Sequence, residues 1–242
     1  MAKVRFLWLV VFAATAATTA RPAESAEDLS VSSVFGVASE YVFRGEKRAG
    51  ASFQPGLEAG HPVGPGDAYG GVWINDEIGG DGTGDEIDFY AGYAAPVSRI
   101  VSVNAGATRY WYPDDDDGPG RETELFLGLS ADLPFRPTIA AYYEFTYDRI
   151  LVRADLRKRH ALSQSFFLEA GLGAGTGRER DANGDGRPGS PSNGYWFGES
   201  RLDLVFEANR SMDVAVGVRY AGRDDGGFSG RFSWGGSVEI GF

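Results

Sequence analysis

From Phe228 to Phe242 every second residue is apolar or glycine: Phe228, Gly230, Phe232, Trp234, Gly236, Val238, Ile240 and Phe242. The residues between them, Ser229, Arg231, Ser233, Gly235, Ser237, Glu239 and Gly241, are small, polar or charged. A period of two puts the two rows on opposite faces of a strand. Roughly ten residues carry a tilted strand across a bilayer, so this segment is long enough to span. It also ends on an aromatic residue, as closing strands of outer-membrane barrels commonly do. Phe242 is therefore the expected point of contact with the barrel assembly machinery.

The same alternation recurs upstream. From Val31 to Gly45 the apolar row holds Phe35, Val37, Tyr41 and Phe43 against Gly36, Ala38, Glu40 and Arg44, which predicts a first strand followed by a polar loop from Glu46 to Gly50. A second strand runs from Ala51 to Gly60, with Pro55 as a flaw, since proline removes a ladder donor. Ala68 to Ile78 carries Tyr69 and Trp73, and Glu86 to Ala95 sets Ile87, Phe89, Ala91 and Tyr93 against Glu86, Asp88, Tyr90 and Gly92. Ile100 to Tyr112, Glu122 to Ala131, Ile139 to Tyr147 and Val152 to Arg157 continue the series. Further strands follow at Phe166 to Gly173, Arg201 to Ala208 and Met212 to Tyr220.

The count is about twelve, an even number, as expected of a bacterial single-chain barrel. Connections also alternate. Those near 61 to 66, 95 to 99, 134 to 137, 161 to 164 and 209 to 211 are short, whereas those at 79 to 84, 113 to 120, 177 to 194 and 222 to 227 are acidic or glycine-rich. Short turns at one end and variable loops at the other fit a transmembrane antiparallel up-and-down β-barrel of the all-β class. Aromatics gather toward the predicted outer end, at Tyr41 and Phe43, Tyr110 to Tyr112, Phe145 and Tyr147, Tyr195 to Phe197 and Tyr220, where an interfacial girdle belongs.

Composition narrows the alternatives. The chain has 242 residues, 35 glycines, 13% aromatics, no cysteine and a formal net charge of -11. Without cysteine, disulfides, thiol nucleophiles and thiolate metal sites drop out together. The acidic balance argues against nucleic acid, because phosphate binding calls for basic patches. Lys3 and Arg5 precede an apolar run from Phe6 to Phe12 that continues through small residues to about Ala20. This reads as a signal peptide over residues 1–26, cleaved near Ala26 or Ala20, leaving 27–242 as the barrel. No later apolar run approaches the roughly 18 residues of a membrane helix. What remains is a barrel in the outer membrane of a Gram-negative bacterium, bathed in lipid and lipopolysaccharide, or a soluble periplasmic β-sandwich.

Several segments resemble the TorF-type family of outer-membrane proteins, taken to be porins. The likeness begins at Ser39-Glu40-Tyr41-Val42-Phe43-Arg44-Gly45, with Glu40 where that family's opening signature carries Asp. It continues through Gly71-Val72-Trp73 with Asn75, Glu86-Ile87-Asp88-Phe89-Tyr90-Ala91-Gly92-Tyr93, Tyr110-Trp111-Tyr112-Pro113 and Glu122-Thr123-Glu124-Leu125-Phe126-Leu127-Gly128-Leu129. The resemblance implies an outer-membrane barrel with a pore role and supplies no catalytic residues.

If the apolar rows face lipid, the polar rows face a shared lumen, because an Arg or Lys toward hydrocarbon at mid-depth costs about 2–4 kcal/mol. The predicted pore-lining set is Glu40, Arg44, Glu58, Glu86, Asp88, Glu124, Glu144, Arg153, Asp155, Arg157, Glu169, Arg201, Asp203, Glu207, Arg219, Arg231 and Glu239. A channel for small hydrophilic solutes, cationic or neutral given the acidic balance, follows from it. A salt-bridged, non-permeating barrel with a structural or adhesive role is the alternative. Barrels of roughly eight strands fill with side chains and those of 16 or more leave an aqueous channel, so strand number does not decide.

In the longest loop, 177 to 194, Asp181, Asn183, Asp185 and Gly186 match the opening of a calcium loop, with Arg187 following. The closing Glu is replaced by Ser192, with Glu179 and Glu199 nearest. Asp114 to Asp117 reads as a solvated charge run. A barrel hydrolase would need a nucleophile and a histidine at the outer rim. The two histidines, His61 and His160, fall at the opposite end, so no enzyme is expected.

Overall fold

A strand with one apolar and one polar row is stable in a membrane only when its edges are hydrogen-bonded and its polar row is kept from lipid. Closing the sheet on itself meets both demands. The computed structural model describes residues 29–114, 120–179, 193–224 and 227–242. Its strands are β1 (Ser30–Ala38), β2 (Tyr41–Phe43), β3 (Glu46–Ala49), β4 (Ser52–Val63), β5 (Gly66–Glu77), β6 (Glu86–Pro96) and β7 (Val101–Trp111). They continue as β8 (Arg121–Ala131), β9 (Thr138–Glu144), β10 (Arg149–Ala161), β11 (Phe166–Glu179), β12 (Asn193–Glu207), β13 (Met212–Asp224) and β14 (Phe228–Gly241).

The twelve strands β1 and β4 to β14 form one closed antiparallel barrel, sealed by β1 against β14 in the register Ser32↔Gly241 to Ala38↔Gly235. Its outer face is greasy: Leu127 is 56% exposed, Trp234 65% and Phe232 77%, within a band of apolar side chains that runs around the barrel. In water such a band would be an aggregation hazard, whereas lipid covers it without penalty. The inner face is the reverse, with Glu86, Asp88, Glu124, Glu144, Arg153 and Asp203 all at or below 3% exposure. A sandwich core would be dry, so charges on this side rule that architecture out.

Pro55 has a local consequence, since the ladder from β4 to β5 skips Gln54 and Pro55 and resumes at Gly56↔Trp73 without changing register. At the barrel end that carries Ser30 and Gly241, β4 and β5 are joined by the tight turn at Gly64, whose φ is 59°. This is the near end below, and the opposite one the far end.

Three expectations need correction. The first strand does not run to Gly45: β1 stops at Ala38, and Tyr41–Phe43 with Glu46–Ala49 form the separate pair β2–β3. The strand expected to reach Tyr147 stops at Glu144, whose carboxylate accepts the backbone N–H groups of Thr146 and Tyr147 and so turns the chain toward β10. The aromatic girdle is divided by strand parity. Trp111, Phe145 and Trp196 face outward, whereas Tyr41, Phe43, Tyr110, Tyr195 and Phe197 are buried inside.

Candidate functional site

The segment from Ser39 to Gly50 is too polar at Glu40, Arg44, Glu46, Lys47 and Arg48 to pack on the lipid face and too aromatic at Tyr41 and Phe43 to stand in water. It solves the conflict by folding inward from the far end of the barrel. β2 and β3 are joined by the two residues Arg44 and Gly45, with φ of 51° and 78°. Positive φ at both central positions is the primed turn whose twist matches a tight hairpin. Glycine adopts it freely, and an arginine there carries about 1–2 kcal/mol of strain.

Arg44 is held by what it reaches. Its guanidinium donates to both carboxylate oxygens of Glu124 on β8, at 2.7 and 2.8 Å, and lies 4.5 Å from the Phe43 ring centre and 4.7 Å from that of Tyr142 on β9. Glu124 also accepts from the Tyr110 hydroxyl at 3.0 Å. Burial works against the arginine's charge, but Glu124 more than offsets it, so Arg44 holds its proton more tightly than an ordinary arginine. On the other side, a Cβ on Gly45 would lie 2.3 Å from the carbonyl oxygen of Gly222 on β13. β8 and β13 are separated by β9 to β12 in the barrel order, so the hairpin tip bridges nearly opposite walls.

The rest of the hairpin is fixed in the same way. Tyr41 packs on Trp73 of β5 with ring centres 5.3 Å apart, and Phe43 on Tyr110 of β7 at 6.2 Å. Burial, and next the nearby Glu86 and Asp88 carboxylates, push the Tyr41 phenol well above its ordinary value. Glu46 pairs with Arg223 of β13 at 3.1 Å, and Glu40 with Lys47 at 3.2 Å and Arg231 of β14 at 3.6 Å. At the base, Ser39 N–H donates to the Trp234 carbonyl at 2.8 Å, and Trp234 N–H donates to Ser39 Oγ at 2.9 Å.

Charge is unevenly spread around the wall. The charged groups facing in from β4 to β9 are acidic, Glu58, Glu77, Glu86, Asp88, Glu122, Glu124 and Glu144 among them. Those from β10 to β14 mix arginines with carboxylates, as in Arg153 with Asp155 at 2.7 Å and Glu199 at 2.9 Å, and Arg159 with Glu169 at 3.1 Å and Glu207 at 2.6 Å. The hairpin's Arg44 and Arg48 lie toward the acidic wall.

Of the residues singled out in the sequence, Glu58, Glu86, Asp88, Glu124, Glu144, Arg153, Asp155, Arg157, Glu169, Arg201, Asp203, Glu207, Arg219, Arg231 and Glu239 sit on the inward row of barrel strands. Glu40 and Arg44 do not belong to the wall: they are carried by the hairpin. Asp181, Asn183, Asp185 and Arg187 lie outside the described residues. His61 and His160 are exposed toward the near end.

The predicted pore-lining set omitted Arg48, Glu122, Arg149, Arg159, Glu199 and Arg223. Arg159, Glu199 and Glu122 share the parity of Arg157, Arg201 and Glu124, so strict alternation would have found them. Arg48 needed knowledge of the hairpin. Gly171 and Gly173 fall on the inward row by the alternation itself, and β11 extends past the expected strand to carry Gly175 and Gly177 on the same row. A Cβ at these positions would strike Arg201, Arg153, Phe197 and Tyr195, which lie across the bare backbone.

Solved structures with this architecture include the NanC porin, 12% identical with a TM-score of 0.52, the match covering 88% of this chain and 99% of that one. An outer-membrane channel from Pseudomonas putida F1 is 12% identical with a TM-score of 0.55, covering 91% of this chain and 97% of that one. The KdgM porin is 10% identical with a TM-score of 0.50, at 88% and 99% coverage. At these identities the likeness speaks to the fold, a transmembrane barrel of the outer-membrane type. No curated protein matches the chain. Residues 22–157, more than half of the sequence, match the model of Gcw_chp, described as a bacterial protein of unknown function, a description that does not carry the TorF-type name, and the chain belongs to the Gcw_chp family.

Proposed function

We propose that the protein is a narrow outer-membrane channel for small hydrophilic solutes, with the β2–β3 hairpin as its constriction. The observation that carries this reading is the hairpin itself, held across a charged lumen by the Arg44–Glu124 pair together with the aromatic cluster of Tyr41, Phe43, Trp73 and Tyr110. A barrel that needed only to anchor itself in lipid would gain nothing from buried charge, which costs solvation that pairing only partly returns. In this orientation the near end with its short turns is periplasmic, the far end is outside, and lipid and lipopolysaccharide surround the apolar band. The acidic inward rows of β4 to β9 favour small cations and neutral solutes at the far mouth.

A second reading has one observation behind it: the hairpin tip touches both β8 and β13, so the lumen is bridged. On that reading the barrel is a non-permeating structural or adhesive element. An enzyme is disfavoured by the exposed near-end positions of His61 and His160. Calcium in the 177 to 194 loop stays a proposal on its sequence alone. Recording in planar bilayers, with a salt gradient across the membrane, separates the readings. A small, cation-preferring conductance supports the channel, and silence from protein with heat-modifiable barrel migration supports the non-permeating barrel.

A further inference from the structure

The outward rows of the barrel are apolar over most of their length, and the charges they carry stand toward the two ends. Lys158 of β10 lies toward the near end, and Arg109 of β7 and Arg121 of β8 are among those toward the far end. The last two meet. The ladder from β7 to β8 sets Arg109 opposite Thr123 and Trp111 opposite Arg121, so the two arginines are diagonal neighbours on the outer face, within reach of one another's long side chains. The Arg109 guanidinium crosses to β8 and donates to Thr123 Oγ1, and the Arg121 guanidinium lies 5.9 Å from the Trp111 ring centre.

The inward arginines have acids to hold, as Arg44 has Glu124, Arg153 has Asp155 and Arg159 has Glu169. These two do not. Among the described residues neither Arg109 nor Arg121 has a carboxylate partner. Glu122 and Glu124 of β8 point inward, and Asp114, just past β7, is turned toward Gly82, where a Cβ would lie 3.1 Å from its Oδ2. Two like charges are thus placed side by side on the lipid face of a chain whose net charge is -11.

Their surroundings are those of a membrane interface. Arg109 shares its hydrogen-bonded row with the exposed Phe89 of β6 and, through the Phe145 N–H that donates to the Thr123 carbonyl at 3.0 Å, with the exposed Phe145. Trp111 supplies the amphipathic ring that settles where lipid meets water. Toward the near end the outward row of β8 continues as Leu125, Leu127 and Leu129, all exposed. Two guanidinium groups and a hydroxyl therefore stand at the head of a leucine stripe, the complement of an amphiphile with an anionic head and acyl chains. Arginine facing lipid is costly unless a counter-charge meets it, and its fork of donors matches a phosphate in bidentate fashion.

We propose that Arg109 and Arg121, with the Thr123 hydroxyl, bind a phosphate of the glycolipid of the outer leaflet, lipopolysaccharide, whose acyl chains lie along Leu125, Leu127 and Leu129. The site rests on the placing of the far end outside, as in the channel reading, and not on conduction.

The test titrates the full barrel in detergent by calorimetry with four probes: short-chain lipopolysaccharide, the same lipid dephosphorylated, phosphatidylglycerol and inorganic phosphate. The parent should bind the phosphorylated glycolipid at least about tenfold more tightly than the dephosphorylated one. Arg109→Gln and Arg121→Gln should each raise its Kd about tenfold, the factor expected when one charge-assisted contact is lost. Arg121→Lys should keep part of the affinity, and Lys158→Gln, at the near end, should leave it unchanged. In phospholipid vesicles without lipopolysaccharide, Arg109→Leu should raise the urea midpoint, because a charge leaves the lipid face and no acidic partner is stranded. A lowered midpoint would make the arginine a structural element and overturn the site. So would equal affinity for the two glycolipids, or affinity unchanged in both Gln variants. Phosphatidylglycerol bound as tightly, or inorganic phosphate bound by the same two arginines with equal affinity, would overturn the assignment to lipopolysaccharide. Orientation is read separately, from an epitope tag in the 79 to 84 loop of intact cells. A tag hidden from antibody would overturn the outer-leaflet placement even if phosphate binding persists, whereas binding lost in Arg109→Gln from a barrel that passes no current would uphold the site and overturn the channel.

Discussion

Arg44 and Glu124, 80 residues apart in sequence, meet through two parallel hydrogen bonds of 2.7 and 2.8 Å inside the barrel, with the arginine 8% and the glutamate 1% exposed. Removing one member of such a buried pair strands the other, at about 3–5 kcal/mol. Glu124→Gln should therefore release the hairpin while leaving the twelve-strand ladder in place. The single-channel conductance should rise, and trypsin should gain access to Lys47 and Arg48 from the far side. The reversed pair, Arg44→Glu with Glu124→Arg, should recover part of the parent behaviour. Unchanged conductance together with unchanged cleavage would mean that the hairpin is held by its aromatic contacts alone.

Gly45 tests the same docking without altering charge. Its φ of 78° and the 2.3 Å approach of a notional Cβ to the Gly222 carbonyl leave no room for a side chain. Gly45→Val should weaken hairpin docking by about 1–3 kcal/mol, the usual range for a disfavoured backbone conformation. Heat-modifiable migration should persist, because neither residue of the turn belongs to the barrel wall. Loss of the folded band on gels would instead show that the hairpin is needed to form the barrel.

The alternation that made twelve strands visible in the sequence records which side of a strand meets lipid, and that demand is uniform from β4 to β14. It fails at Tyr41 and Phe43 for a physical reason. These residues keep a period of two after β1 has left the wall, so the pattern continues while the face it points to changes from lipid to lumen. Only Arg44-Gly45 betrays the reversal, and a turn of that kind more often carries Asn or Asp before glycine. Arg157, Arg201 and Arg219 are each legible as inward-facing, but their meeting depends on the register of β10 to β13 and on Gly171 lying between them.

Alkali should loosen the hairpin. Burial raises the phenol of Tyr41 and that of Tyr112 well above the ordinary value, with the Glu86 carboxylate next in both cases. A group whose folded-state value is raised contributes stability that is fully present below its unfolded value, about 10 for tyrosine. That contribution is lost as pH rises from there through the folded-state value. The tyrosinate absorbance of folded barrel should develop later than that of unfolded chain, and conductance should rise reversibly in the same alkaline range. In Tyr41→Phe that rise should be smaller. A folded barrel whose tyrosines all ionise as freely as in the unfolded chain would contradict the burial of the hairpin.

The lipid assignment itself is open to a direct comparison on one strand. Leu127 of β8 faces outward and is 56% exposed, whereas Ser130, three residues on, lies on the inward row and is half-buried. Arginine at the first position must enter hydrocarbon near mid-depth, and arginine at the second extends into a polar lumen. Leu127→Arg should cost about 2–4 kcal/mol of folding free energy in lipid vesicles. Ser130→Arg should cost well under half of that, since its guanidinium extends into the polar lumen rather than into hydrocarbon. Urea titration of tryptophan fluorescence in short-chain phospholipid vesicles measures both. Equal penalties at the two positions would remove the distinction between a lipid face and a lumen on which the channel reading stands.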